Sequence, residues 1–299
     1  MADDSFPFKA AEQFPRKLPE RKAFFLIKQG NESSDKYLKL DGLNVRFHVR
    51  NLMDNLTPTA DFAICNLNRT EAEYITKLFS YYSNKTESRE IRFYAGYDSD
   101  VFELFDGDVL RTVFSPPPDI WISFQALHDY NLLVQPTEWM LKGSYPLKFI
   151  FAEVARRLKL VLKYDATSGK MIKDFTASGS VKTLMQQLAQ LDSTVFVWRI
   201  GKTIYVADKN PKDFDQKKAT WRINEKTGML GIPQFDPYGA MVTTVLNPFI
   251  VPGQYAILES RFQPSGNGKY QILSVEHQGE LRGNQFETKI RLFRDNTKK

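Results

Sequence analysis

The chain is short of the residues that make staples, metal sites and nucleophiles. One of its 299 residues is a cysteine, Cys65, so an internal disulfide is excluded. Three are histidines: His48, His128 and His277. Each stands without a second His or Cys at ligand spacing, which favours a surface or interface imidazole over a metal ligand. Cys65 has no histidine near it in sequence and reads as a buried, inert thiol. The glycines never fall into a strand–GxGxxG–helix or Walker order, so no nucleotide fingerprint is present. Mean hydropathy is -0.40, and no apolar run approaches the roughly 20 residues of a membrane-crossing helix. The acidic start, Met-Ala-Asp-Asp-Ser, lacks the basic-then-apolar order of a signal peptide. Charge of one sign is also scarce, with 41 basic against 35 acidic side chains for a net +6. It reads as scattered, a weak footprint for nucleic acid. No catalytic residue, cofactor or metal is expected.

Aromatics are plentiful instead, with 23 Phe and 13 Tyr, mostly in alternating segments that favour strands. Leu38 and Leu40, then Leu43, Val45, Phe47 and Val49, alternate with polar residues, and the parity shift at Gly42 predicts a bulge or bend. Further strands are predicted over 61–66, 90–97, 101–105, 109–114 and 120–127. One helix is predicted over 70–82, with Tyr74, Ile75, Leu78, Phe79 and Tyr82 on one face and Asn68 or Thr70 as cap. A second unit follows. Leu147, Ile150, Phe151, Val154, Ala155 and Leu158 form one helical face, and Val181, Leu184, Met185, Leu188 and Ala189 another, capped by Ser180. Strands over 161–164, 195–199 and 203–207 accompany them. Strands over 240–246, 254–260, 270–278 and 285–293, joined by glycine-rich turns, make a third unit. The fold class is therefore mainly β with an α+β insert. The expected division is an extended arm over 1–36 with one strand near 23–28, a β-barrel with one helix over 37–135, a small α+β module over 136–210, and a second β-barrel over 211–299 that opens on a linker.

Two acidic pairs, Asp98/Asp100 and Asp106/Asp108, are expected beside hairpin turns, where Asp and Gly serve turn geometry. As chemistry, Asp98 and Asp106 would be the carboxylates of a polysaccharide hydrolase. A different class is an OB-like barrel binding single-stranded nucleic acid, with Phe93, Tyr94 and Tyr97 stacking on bases beside Arg92. Asp98, Asp100 and Glu103 crowd that face with negative charge.

An ordered set of motifs carries more information. Strand 43–49 is followed by Ala63-Ile64-Cys65-Asn66-Leu67, the helix, Tyr94-Ala95-Gly96-Tyr97, and Leu104-Phe105-Asp106-Gly107-Asp108-Val109. Near the C-terminus come Gly228-Met229-Leu230-Gly231-Ile232-Pro233, Gly239-Ala240, Leu246-Asn247-Pro248, Pro252-Gly253, Glu259-Ser260, Gly268-Lys269-Tyr270, His277-Gln278-Gly279 and Phe286-Glu287-Thr288. In this order, over roughly 37–299, the chain resembles the tail-tube-like baseplate hub proteins of phages. The resemblance implies two tube-like barrels flanking the α+β module. It also implies a homotrimeric, non-enzymatic virion protein that adapts a sixfold tail tube to a threefold central spike. Its partners would be itself, the tube protein, the spike and other baseplate proteins. DNA would pass through its channel without specific binding, and no membrane is involved. The chain lacks any lysozyme-like stretch.

Overall fold

The computed structural model describes residues 19–30, 35–53, 56–78, 89–209, 211–214, 217 and 219–294. Much of the expected arm, 1–18 and 31–34, and the end of the expected helix, 79–82, lie outside the described residues.

The strand expected near 23–28 is β1 (Arg21–Lys28). It pairs antiparallel with β2 (Tyr37–Leu40) of its own chain, so this part of the arm belongs to the sheet. The shift at Gly42 proves to be a break: β2 ends, the chain turns, and β3 (Asn44–Leu52) starts elsewhere in the sheet. β4 (Thr59–Cys65) leads through Asn66, in the left-handed region at φ 51, into α1 (Arg69–Leu78). The Asn68 side chain caps α1 by accepting from the Glu71 amide at 2.8 Å. β5 (Glu90–Tyr97) then turns into one 15-residue strand, β6 (Asp100–Phe114), where two strands were expected. Asp106 and Asp108 therefore lie inside a strand, not at a turn. Gly107 permits this, because a Cβ there would meet the Leu127 carbonyl at 2.7 Å. β7 (Trp121–Leu127) completes this part, and a single turn of helix, α2 (Tyr130–Leu133), leaves it.

The insert holds β8 (Pro136–Pro146), α3 (Leu147–Arg157), β9 (Val161–Asp165), β10 (Met171–Ser180), α4 (Val181–Gln190), β11 (Val195–Ile200) and β12 (Thr203–Asp208). β8 and β10 form a two-stranded ribbon, and β11, β12 and β9 a three-stranded sheet. Ser180 caps α4 as expected, accepting from the Thr183 amide. The apolar faces of α3 and α4 meet in one core with Val197, Ile204 and Val206, and with Leu127 and Leu133 from the preceding elements.

The last part holds β13 (Trp221–Asn224), β14 (Met229–Asp236), β15 (Gly239–Val245), β16 (Tyr255–Glu259), β17 (Gly268–Glu280) and β18 (Phe286–Phe293). Two separate barrels were expected here, but no closed barrel is found among the described strands. The N- and C-terminal strands share one 13-stranded sheet, in order β14-β15-β18-β17-β3-β4-β7-β6-β5-β1-β2, with β16 also on β17 and β13 on β16. The joint is β17 on β3, antiparallel from Ser274–Leu52 to Glu280–Arg46. The sheet curls strongly, so Phe25, Phe47, Phe62, Phe93, Phe105 and Phe124 from six strands fill one core. Phe47 and Phe93, four strands apart in the sheet, have ring centroids 4.9 Å apart. The seam of the curl is held by side chains: Arg21 donates to the carbonyls of Gly283 at 2.6 Å and Asn284 at 3.2 Å.

Candidate functional surface

The polar face of the long sheet crosses the β17–β3 joint. Because side chains alternate, Val45, Phe47 and Val49 point into the core while Asn44, Arg46, His48 and Arg50 point outward. Opposite them on β17 stand Glu276, Gln278 and Glu280. Across the joint Arg46 stands opposite Glu280 and meets it at 3.1 Å, while His48 Nε2 reaches diagonally to Glu276 at 2.7 Å. Arg50 pairs with Asp61 on β4, and Arg291 on β18 with Asp236 at the end of β14. A cleft of about 640 Å³ runs along this face, lined by Arg46, His48, Asp61, Arg111, Gln125 and Gln278 among others. Cations and anions alternate along it, so little unbalanced field remains to hold a polyanion.

The three histidines occupy different settings. His48 is half-exposed on this face. His128 and His277 are buried within the chain, where surface or interface imidazoles were expected. Both line a cavity of about 190 Å³ where β3, β6, the β11–β12 turn, the 248–251 loop and β17 meet. His277 Nδ1 lies 2.9 Å from the Thr288 hydroxyl, and burial pushes its pKa down to about 4. His128 Nδ1 lies 2.9 Å from the Asp106 carboxylate. Burial opposes its charge, but the Asp106 carboxylate outweighs burial and raises its pKa. Asp129, in the left-handed region at φ 52, takes the next position. It stands 3.5 Å from His128 Nε2 and pairs with the fully buried Arg199 of β11. Asp106, His128, Asp129 and Arg199 thus form one chain of polar contacts between the sheet and the insert. Spacing alone gave no sign of this chain, because Arg199 lies 70 residues from Asp129.

The other sequence candidates do not converge. Asp98 sits at the β5–β6 turn and accepts from the Glu20 amide at 2.9 Å, while Asp106 faces Arg92 in mid-strand. Six residues of extended strand separate Asp100 from Asp106, roughly 20 Å. The carboxylates of a glycosidase stand about 5–9.5 Å apart, so the hydrolase arrangement is absent. The proposed base-stacking platform is also absent. Phe93 is in the core, Tyr94 stacks on Phe24 at 4.8 Å, and the Tyr97 hydroxyl donates to the Phe286 carbonyl. Arg92 is held by Glu90 at 2.9 Å. Cys65 is partly exposed, not buried as expected, and desolvation with nearby Asp119 raises its pKa, which disfavours the thiolate. Among the described residues no three His, Cys, Asp or Glu gather as a metal site, and no helix is long and apolar enough to cross a membrane.

The described chain is thus a curled sheet continuous across an α+β insert, carrying a charge-paired face. Solved structures share this fold. A tail protein from Neisseria meningitidis MC58 superposes with TM-score 0.60 at 9% identity, over 92% of this chain and 97% of that one. The 43 kDa tail protein of prophage MuSo2 from Shewanella oneidensis gives 0.60 at 10% identity, over 91% and 97%. The E. coli c3393 protein, a type VI secretion component similar to T4 tail proteins gp27 and gp5, gives 0.57 at 10% identity, over 89% and 76%. No curated protein sequence matches the chain. The chain belongs to the baseplate hub gp41 family, whose model matches residues 26–291.

Proposed function

We propose that the chain is a structural hub of a phage baseplate, three copies of which close into a ring that adapts a sixfold tube to a threefold spike. In this reading 37–135 and 211–299 serve as two tube-like units, 136–210 is the insert between them, and no residue is catalytic or binds a cofactor. Six β units around one axis satisfy both symmetries with one gene product. The observation that carries the ring is the open ends of the long sheet. Among the described strands, β14 pairs only with β15 and β2 only with β1. β14 and its hairpin expose Ile232 at 55% and Tyr238 at 69%. An edge strand with an apolar fringe invites pairing with another chain, and a closed ring covers every such edge. The charge-paired face suits a channel wall, because DNA must slide along it without being held. Tube, spike and neighbouring baseplate proteins would be the partners.

Mass in solution tests this first. A species of three times the 34.5 kDa chain is expected. Electron microscopy of the assembled particle should then show six β units around the axis. A stable monomer, or β units that do not alternate around that axis, overturns the reading.

A further inference from the structure

The positive charge is not scattered, as the sequence pattern implied. Residues 136–210 hold twelve Lys and Arg against six Asp and Glu, a surplus of six that equals the whole chain's +6. The rest of the chain is balanced. Of the three arginines of this insert, Arg156 and Arg157 share the single Glu153 on α3, and Arg199 is buried against Asp129. The remaining cations of the insert are all lysines. Four of these lysines gather at one end of the β8–β10 ribbon. Lys173 pairs in register with Ser144. Lys142 adjoins Gly143, whose amide donates to Asp174 at 2.8 Å. Lys170 and Lys148 flank the start of α3, where the Leu147 amide donates to the Lys170 carbonyl. Two carboxylates stand near them, Asp174 at the bulge and Asp192 beside Lys170. Apolar side chains are exposed beside this cluster: Met140 at 65%, Met171 at 54% and Phe149 at 43%.

We propose that this end of the ribbon is a docking face for an acidic protein surface. The proposal deepens the hub reading, on which its biological setting rests, by giving the chemistry of one neighbour. Positive charge draws in and orients an acidic partner, and the methionines and Phe149 supply the apolar contact typical of protein interfaces. A nucleic-acid face would be expected to offer arginine forks to phosphate, and residues 140–149 and 170–175 of this ribbon end hold no arginine. Like charge also keeps three such inserts apart in a trimer, which turns this face toward a different protein.

Anisotropy of labelled poly-L-glutamate titrated with the full chain tests the proposal. The triple variant Lys142→Glu, Lys148→Glu, Lys173→Glu changes only exposed side chains. Lys170 is spared because its Nζ donates to the Leu191 carbonyl at 2.7 Å. A matched control, Lys22→Glu, Lys226→Glu, Arg261→Glu, makes the same change of charge elsewhere, and circular dichroism checks that both fold. At least tenfold weaker binding by the ribbon variant is expected, with the control within twofold of the parent. Equal weakening in both variants, no binding by the parent, or tighter lysine-dependent binding to a 20-base-pair DNA duplex overturns the proposal. The oligomeric state is read separately. A trimer without lysine-dependent binding sinks the docking face alone, and a monomer with it sinks the hub reading alone.

Discussion

His277 and His128 share one cavity, yet their surroundings move their proton affinities in opposite directions. Thr288 Oγ1 already accepts from the Asn247 amide at 2.9 Å, so its proton is free to point at His277 Nδ1. That arrangement favours a neutral ring, and burial then penalises any added proton. The folded pKa of about 4 lies below the unfolded 6.5. Between those values the unfolded chain binds more protons, so stability is present above pH 6.5 and is lost as pH falls toward 4. The loss amounts to about 3 kcal/mol at full protonation. His128 has the opposite sign: its ion pair with Asp106 contributes below pH 6.5 and is lost as pH rises through its raised folded value. Urea unfolding at pH 7 and pH 4.5 is expected to show His277→Asn losing markedly less stability between the two than the parent. Parallel pH profiles for parent and variant would show that His277 is not the group responsible.

At the scale of elements, the insert offers the cleanest test of a helical face. Leu184 is 1% exposed in the core shared by α3 and α4, while Lys182, two residues earlier, is exposed. Truncating a buried leucine costs roughly 2–5 kcal/mol, so Leu184→Ala is expected to lower the thermal midpoint sharply and Lys182→Ala hardly at all. Equal effects would mean the helix faces the other way. This face was legible in sequence because Val181, Leu184, Met185 and Leu188 keep the helical period, and all four are buried. β5 was legible to the residue, since buried Ile91, Phe93 and Ala95 alternate with Glu90, Arg92 and Tyr94. The β8–β10 ribbon was not, because a bulge between Lys173 and Phe175 and the left-handed Asp174 break the period of two. Its outward positions include Met140 and Met171 beside Lys142, Ser144 and Lys173, so one face of the pattern is blurred as well. The Asp106-Gly107-Asp108 stretch misled in the opposite way: residues typical of turns lie in mid-strand because the backbone of β7 leaves no room for a side chain at 107. The joint between β17 and β3 spans more than 220 residues, and no local pattern encodes a pairing at that distance. The motif order was enough to place the chain in its family, but the cluster of Asp106, His128, Asp129 and Arg199 needed the folded chain to appear.

Over the whole molecule, three cores are tied together more firmly than a string of domains would be. The β17–β3 ladder makes the N- and C-terminal strands one sheet. The insert is clamped to both, since its buried Phe196 and Trp198 pack with Met53 beyond β3 and with Leu273 and Phe293 of β17 and β18. Gly253, at φ +87, lies so close to the Trp198 ring that a Cβ would enter it, so the 248–253 loop is fitted to the insert without slack. Arg199 is fully buried and paired with Asp129, and separating the insert from the sheet would strand that charge. No part can leave without exposing an apolar face, an unpaired ladder or a buried ion. Unfolding is therefore expected to be a single cooperative transition in calorimetry, with amides of Phe47, Val49 and Val275 exchanging at similar protection. Two resolved transitions, with the β17 amides exchanging well before those of β3, would show the joint to be a weak contact between independent units. A rigid body of this kind suits a part that must hold its shape while other proteins assemble on it. If the melt is cooperative, the charge-paired face and the open ends of the sheet are set by one folding event.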